Sequence, residues 1–590
     1  MQLSGMRTIR TAIALLMLTL TTPAAVAQDI SQIGKSDPLI ITGAIGTRNT
    51  YYHSSAGNSF ASPMSNQFFA NMNVSFYGIT MPFSFFYSND NNDFNFPHFS
   101  FKVNPHYRNW QLMFGQSTMG FSPYVMNMPF NGVGVEYQGS KLRYGMFYGS
   151  LRNAVNDNPQ DPEARQPQYK RMAWGMKLGY GTQRNYLDVY FLRAYDQLKS
   201  LSEGWRNTLS AQDNFVVGVR GSVALQKHLS LTANFATSVF STDKTATKMT
   251  DDDVNMGGFD KVFDARYTSM SRYAGDVSLN LSLSGLNTSL FYRIIEPDYT
   301  SLGTYYMSNN YQSVGVSLGT ALFKKISLTA SFSAQEDNLS DQQLYTTRGF
   351  VYSVNTATKL GQNFALNLGY NGYRQTQGDG TAHVNDTVKV DRVMHSVVLA
   401  PSYVIPGENV DHTISLSGSY TQNKDLNRFA TGESDVETYA VGASYNIGVE
   451  PWNMDFTTTM SHQQSDGYHT RYTSDVLSLT TGRAFHFGAP QVQGKEDDGH
   501  NMNVELTVSM CYNQMKDQMK NLSVGAEMQV GYSFNKVHVL ALSAGLSKYG
   551  DVNISNRRSG LDDTEFTASL NYTYTFSLVE MKRKAEKQKQ

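Results

Sequence analysis

The chain has 590 residues, 16% of them charged, a net charge of −1 and a single cysteine, Cys511. Near-neutrality gives no global field of the kind that draws nucleic acid or a strongly acidic partner, and one cysteine excludes an intrachain disulfide and a cysteine-based metal centre. Charge falls well short of the roughly 25% of ordinary soluble domains, while aromatic residues, mostly Tyr and Phe, reach 12%.

The first residues are a targeting segment. Arg7 and Arg10 give a basic start, Ala12 to Leu20 is an apolar run, and Ala25-Val26-Ala27 precedes Gln28 as a small-x-small cleavage signal. This reads as a secretory signal peptide over residues 1–27. No cysteine follows it to carry a lipid anchor. Residues 28–37 form a short polar, periplasmic lead, with no plug-sized domain before the first strand at Leu39–Tyr52. After Gln28 no apolar stretch reaches about 18 residues, the length a membrane helix needs. A secreted chain without such helices crosses a membrane only as a closed barrel.

Strand-like segments follow almost without pause, among them Gln67–Tyr77, Thr80–Asn89, Asn109–Gln116, Gly132–Gln138, Lys141–Arg152, Tyr169–Gly181 and Asn185–Tyr195. Pro82 lacks a ladder donor and is expected at a strand start. Gly120 to Phe130 is too apolar for a free loop. It either folds inward and constricts the lumen or packs on the rim. Further on, Lys227 to Phe235, Lys324 to Phe332 and, more loosely, Gln362 to Tyr370 repeat one pattern of a polar turn followed by alternating apolar and small polar residues. Connections alternate short (Gly78-Ile79, Gly139-Ser140, Gln226-Lys227) and long (Asn153 to Gln168, Thr242 to Arg266). One breaks the pattern, being long where a short turn is due: Gly482 to His500. In Val504–Cys511 the cysteine shares a polar face with Thr507 and Ser509 and reads as a small lining residue.

The closing segment, Thr564–Leu578, is the clearest. Phe566, Ala568, Leu570, Tyr572, Tyr574 and Phe576 fall on one face, and Thr567, Ser569, Asn571, Thr573 and Thr575 on the other. Strand side chains alternate between faces. An apolar, uncharged face belongs against lipid and a small polar face against a lumen. The pattern predicts an all-β fold: one closed antiparallel transmembrane barrel over residues 38–578, with about 26 strands. Residues 579–590 are a basic periplasmic tail.

Little chemistry is visible. There is no G-x-S-x-G, H-E-x-x-H or G-x-x-x-x-G-K-[ST] motif, and the His residues are scattered without ligand spacing. The acidic loop runs Asp90-Asn91-Asn92-Asp93, Asp251-Asp252-Asp253 and Asp497-Asp498 lack the spaced oxygen set of a calcium loop. No cofactor or metal is implied. A Ser–His pair split over neighbouring strands would leave no local motif, so an embedded hydrolase is a distant third reading of function. The informative charges are those on polar faces, since a charge facing lipid at mid-bilayer costs about 2–4 kcal/mol. Glu136, Arg143, Lys102, Lys177, Asp188 and Arg220 are predicted to line the lumen, with a two-residue turn at Gly139-Ser140 placing Glu136 across from Arg143. They either brace the wall as an ion-pair network or set selectivity.

Phe130–Tyr137 with Lys141–Arg152, and Lys170–Tyr180 with Asn185–Asp196, resemble the N-terminal part of a family of large, mostly uncharacterised outer-membrane β-barrels of Bacteroidota. The likeness spans Pro38 to Leu225. It implies the fold and a place in the cell outer membrane, and it supplies no catalytic or binding residue. The expected function is a channel or transport pore for a solute or macromolecule. The alternative is a non-enzymatic structural or assembly barrel that docks a lipoprotein or other membrane-protein partner. Expected contacts are outer-membrane lipid and the barrel-insertion machinery, and no nucleic acid.

Overall fold

The computed structural model describes residues 39–55, 63–89, 99–158, 160, 165–249, 263–487, 500–516, 519–551 and 563–581. The signal segment, the lead, the end of the basic tail and the three acidic loop runs lie outside these, apart from the backbone at the edges.

Strands dominate. In chain order they are β1 (Leu39–Ser54), β2 (Met64–Phe76), β3 (Ile79–Ser88), β4 (Phe99–Val103), β5 (His106–Tyr107), β6 (Trp110–Ser117), β7 (Phe130–Gln138), β8 (Leu142–Arg152) and β9 (Arg171–Gly181). Then come β10 (Tyr186–Asp196), β11 (Asp213–Gln226), β12 (Leu229–Ser241), β13 (Ser269–Leu283), β14 (Leu286–Ile295), β15 (Tyr311–Leu322), β16 (Ile326–Asp337), β17 (Tyr345–Leu360) and β18 (Phe364–Asp379). The last group is β19 (Asp391–Ile405), β20 (Val410–Asp425), β21 (Val436–Val449), β22 (Met454–Gly467), β23 (Arg471–Phe487), β24 (His500–Met515), β25 (Met519–Phe534), β26 (His538–Asp551) and β27 (Asp563–Met581).

Apart from β4 and β5, each strand pairs antiparallel with its sequence neighbours, and β27 pairs with β1 from Leu39↔Met581 to Ser54↔Glu565, closing the ring. β4 and β5 share one place between β3 and β6. The barrel is therefore 26-stranded, and its even count returns both ends of the chain to one rim. The closing strand runs on to Met581, past the predicted boundary at Leu578.

Two prolines explain the split. Pro105 follows Asn104 in the gap between β4 and β5. Pro82 is not at a strand start as expected; it sits inside β3, opposite Asn73 of β2. On its other side only Asn104 donates to its carbonyl, at 3.1 Å. The donor that Pro82 lacks thus falls where the neighbouring strand is already broken, so no ladder bond is lost.

One rim carries tight turns, such as Tyr77-Gly78 and Phe323-Lys324-Lys325. The other carries the long connections 118–129, 153–170, 197–212, 242–268 and 296–310. The predicted exception holds its place on the tight-turn rim. β23 takes in Gly482 to Phe487, and residues 488–499 of the connection lie outside the described part.

Alternation sets the two faces. Leu479 faces outward at 51% exposure and pairs with Val508, while its neighbour Ser478 faces the lumen and pairs with Ser509. Apolar side chains exposed on the outside include Val133, Leu178, Leu187, Val223, Leu290 and Leu416, which is the surface lipid requires. Leu479→Arg is expected to cost about 2–4 kcal/mol of stability in vesicles, and Ser478→Arg less than about 1 kcal/mol. Urea titration of the refolded barrel checks the pair, and equal losses would reverse the assignment of faces.

Candidate functional site

The lumen wall from β7 to β13 is built of small residues. Inward positions hold Gly132, Gly134, Gly145, Gly149, Gly175, Gly179 and Gly218, with Ala173, Ala194, Ala236 and Ala274 continuing the rows. A row of missing side chains leaves a shallow trough, and segment 118–129 fills it. Met119, Phe121, Tyr124, Val125 and Met126 are each at most 8% exposed and form one apolar cluster with Phe130, Phe147, Tyr190, Leu192 and Val216 of the wall. At Gly218 a Cβ would stand 2.5 Å from Val125 Cγ2, so the close approach requires glycine. The two readings left open for Gly120–Phe130 resolve in favour of inward folding.

A second connection, 296–310, locks the first in place. The Tyr299 hydroxyl donates to the Tyr124 carbonyl (2.7 Å) and the Ser301 hydroxyl to the Val125 carbonyl (2.6 Å). The Asn127 and Met128 amides donate to the Gly303 carbonyl. The wall holds both. Ser122 donates to Asn234 Oδ1 (2.8 Å), Tyr124 to Asp276 Oδ1 (2.6 Å), and Asn214 accepts the Leu302 amide (3.0 Å). Buried backbone polar groups need such partners, which is why polar residues dot an otherwise small-residue wall.

All six predicted charges lie on inward positions, but their partners differ from those expected. The β7–β8 chain reverses at Ser140-Lys141, with the Gly139 amide donating to the Leu142 carbonyl, so Glu136 stands across from Gly145 and Arg143 across from Gln138. Glu136 instead pairs with Lys177 of β9, which reaches over Gly145 and also donates to the Gly120 carbonyl. Arg143 reaches over Gly179 to Asp188 of β10 at 2.8 Å. A Cβ at Gly179 would lie 1.9 Å from Asp188 Oδ1. Each pair therefore spans two strand spacings across a glycine. Arg220 is exposed, opposite Asp188 and Asn234. Lys102 pairs in register with Ser84 and Gly115 and has no tie to the other five.

Sequence reasoning did not single out segment 296–310, nor Asn214, Asn234 and Asp276. The visible signal was glycine recurring on one face, in Gly132-Val133-Gly134 and at Gly175 and Gly179 on either side of Lys177, which marks a face sparse in side chains.

Outside the membrane span, the long-loop rim over β8 to β13 is capped. Arg171 and Asp196 pair at 2.8 Å, both nearly buried, and Trp205 donates to the Asp157 carbonyl. Side-chain and backbone hydrogen bonds from Arg165 hold the Asp157 carboxyl down to about 2. Among the described residues no group of three or more His, Cys, Asp or Glu gathers to hold a metal ion.

From β15 to β27 the inward residues are mostly small and polar: Ser317, Ser331, Ser353, Asn367, Ser415, Ser444, Thr459, Ser509 and Cys511 are examples. Among the described residues no loop covers this side. Together these features define a transmembrane β-barrel whose lumen is filled on one side and lined with polar groups on the other.

No family model and no curated protein matches the chain. Solved structures similar to it include the P pilus usher PapC translocation pore, at 9% identity, 91% of this chain, 100% of that chain and a TM-score of 0.35. Pseudomonas aeruginosa OpdQ aligns at 10% identity over 65% of this chain and 98% of its own, with a TM-score of 0.33. Pseudomonas aeruginosa OccK2 (OpdF), solved in complex with glucuronate, aligns at 11% identity over 91% and 98%, with a TM-score of 0.29.

Proposed function

We propose that the protein is an outer-membrane channel that passes a polar solute along the half of its lumen left open beside the inward loops. The observation that carries this reading is the uncovered small, polar wall of β15 to β27. A wall of Ser, Thr, Asn and Gly hydrates readily and presents few unpaired charges, which suits passage rather than tight retention. The long-loop rim would face outside and the tight-turn rim the periplasm, the usual polarity of such barrels. The residue likeness to large barrels of Bacteroidota supports the same placement.

Single-channel recording in a planar bilayer tests it. Steady conductance is expected from barrel that shows the heat-dependent gel shift of folded material. A silent bilayer with folded protein would sink the channel reading and favour the docking barrel, with the capped rim as its partner face.

A further inference from the structure

The tight-turn rim carries a charge pattern of its own. From β5 round to β16, its turns hold Arg108, Lys141, Arg184, Lys227 and the pair Lys324-Lys325. All six are exposed, and among the described residues none has an ion-pair partner. No acidic residue stands on any tight turn of this arc, and Ser284-Gly285 is its one turn without a cation. The Arg184 guanidinium donates to the Lys227 carbonyl, which ties two like-charged turns together. Further round, the sign reverses. The turns after β19 and β21 hold Glu408 and Glu450, and the Glu450 amide donates to the Asn409 carbonyl at 3.0 Å.

On the outer face, next to the cations, lies a row of aromatic rings. Trp110 packs with Tyr137 at 5.0 Å between centroids and with Tyr144 at 5.6 Å, and Tyr137 stacks on Tyr144 at 5.2 Å. Tyr180, across from Leu142, is 64% exposed, and Phe323 at the tip of its turn is 86% exposed beside Lys324. Such rings sit at the level where acyl chains meet headgroups. Lys and Arg just beyond them reach the phosphates while their stems stay on apolar surface.

We propose that the rim from β5 to β16 is a binding surface for anionic phospholipid headgroups, and that the Glu408–Glu450 arc is not. A free anion would neutralise the cations but give Phe323 and Tyr180 no apolar cover. A lipid supplies both. The inference needs this rim at headgroup level in a bilayer, as placed above, and does not depend on whether the lumen conducts.

The chain carries its own reporters. Trp110 lies in the basic arc, and Trp452 stands beside the acidic turn with Glu450. The variants W174F/W205F/W452F and W110F/W174F/W205F keep one of them each. Each full-length barrel is reconstituted in phosphatidylcholine vesicles containing brominated phosphatidylglycerol or brominated phosphatidylcholine, and the heat-dependent gel shift confirms folding. Quenching then reports which lipid sits against each ring. Trp110 is expected to favour phosphatidylglycerol about fivefold, the effect of one Lys or Arg at an anionic surface. The preference should vanish with R108Q/K141Q and fade at high salt. Trp452 should show none. Equal quenching of Trp110 by the two lipids would overturn the inference. So would a preference that R108Q/K141Q leaves intact, or one as large at Trp452. A barrel that is silent in a planar bilayer but passes this test would overturn the channel reading alone.

Discussion

Alanine at Tyr299 is expected to unseat the inward loops and raise the conductance of the barrel. Tyr299 is 1% exposed, packed in the cluster that joins the two connections to the wall. Its hydroxyl also supplies one of the bonds between them. Truncating a buried aromatic costs about 3–5 kcal/mol, and the lost hydrogen bond about 1 kcal/mol more. None of that loss falls on the strand ladder, because Tyr299 belongs to a connection and not to a paired strand. The barrel should therefore keep its heat-dependent gel shift while segment 118–129 leaves the trough part of the time. Recordings would show larger and noisier openings than the wild type. Unchanged conductance would mean that the loops do not obstruct the path. The companion variant Ser301→Ala removes the bond to the Val125 carbonyl and the acceptor of the Gly303 amide, but no large side chain, and should act in the same direction with a smaller effect.

The second large effect is on stability. Lys177→Met leaves the Glu136 carboxylate, whose side chain is 5% exposed, facing only the Gln138 amide. Breaking a buried pair from one side costs about 3–5 kcal/mol, because a desolvated charge is left behind. Removing both charges, as Glu136→Gln with Lys177→Met, should recover most of that loss. Urea midpoints of the two single variants and the double variant check this. A double variant as weak as Lys177→Met would show that packing of the lysine stem, or its bond to the Gly120 carbonyl, matters more than the charge.

These two expectations separate what the chain reveals by itself from what only folding assembles. Strand by strand, the fold was legible, because a period of two with lipid outside and a lumen inside leaves its mark on every segment. Thr564–Leu578 is the clearest case. The inward direction of Glu136, Arg143, Lys102, Lys177, Asp188 and Arg220 followed from the same parity. Partner choice did not. It depends on register, and the turn around Ser140-Lys141 sets every β7–β8 pairing two residues along from the expected one, with Glu136 across from Gly145 and not Arg143. It also depends on reach: Lys177 and Arg143 find their partners two strands away because a glycine intervenes, a relation invisible within any one strand. The lock between 118–129 and 296–310 was hidden for a further reason. Its residues lie far apart in sequence, and each segment alone reads as an ordinary loop.

The pairing of β1 with β27 has a consequence for how the molecule comes into being. Until Asp563–Met581 is in hand, Leu39–Ser54 has no partner on one side, and the sheet is an open ribbon with two bare edges. Joining them closes a loop on the order of 500 residues, at an entropic cost of about 5–6 kcal/mol, since that cost grows only with the logarithm of length. The sixteen paired positions of the seam, Leu39 through Ser54, outweigh it easily. Closure is thus favourable but late, the last stitch of a sheet whose other pairings, apart from those of β4 and β5, are all between sequence neighbours. A chain halted before Asp563 would carry every strand but the final one and still present two sticky margins, each a template for another molecule of its kind.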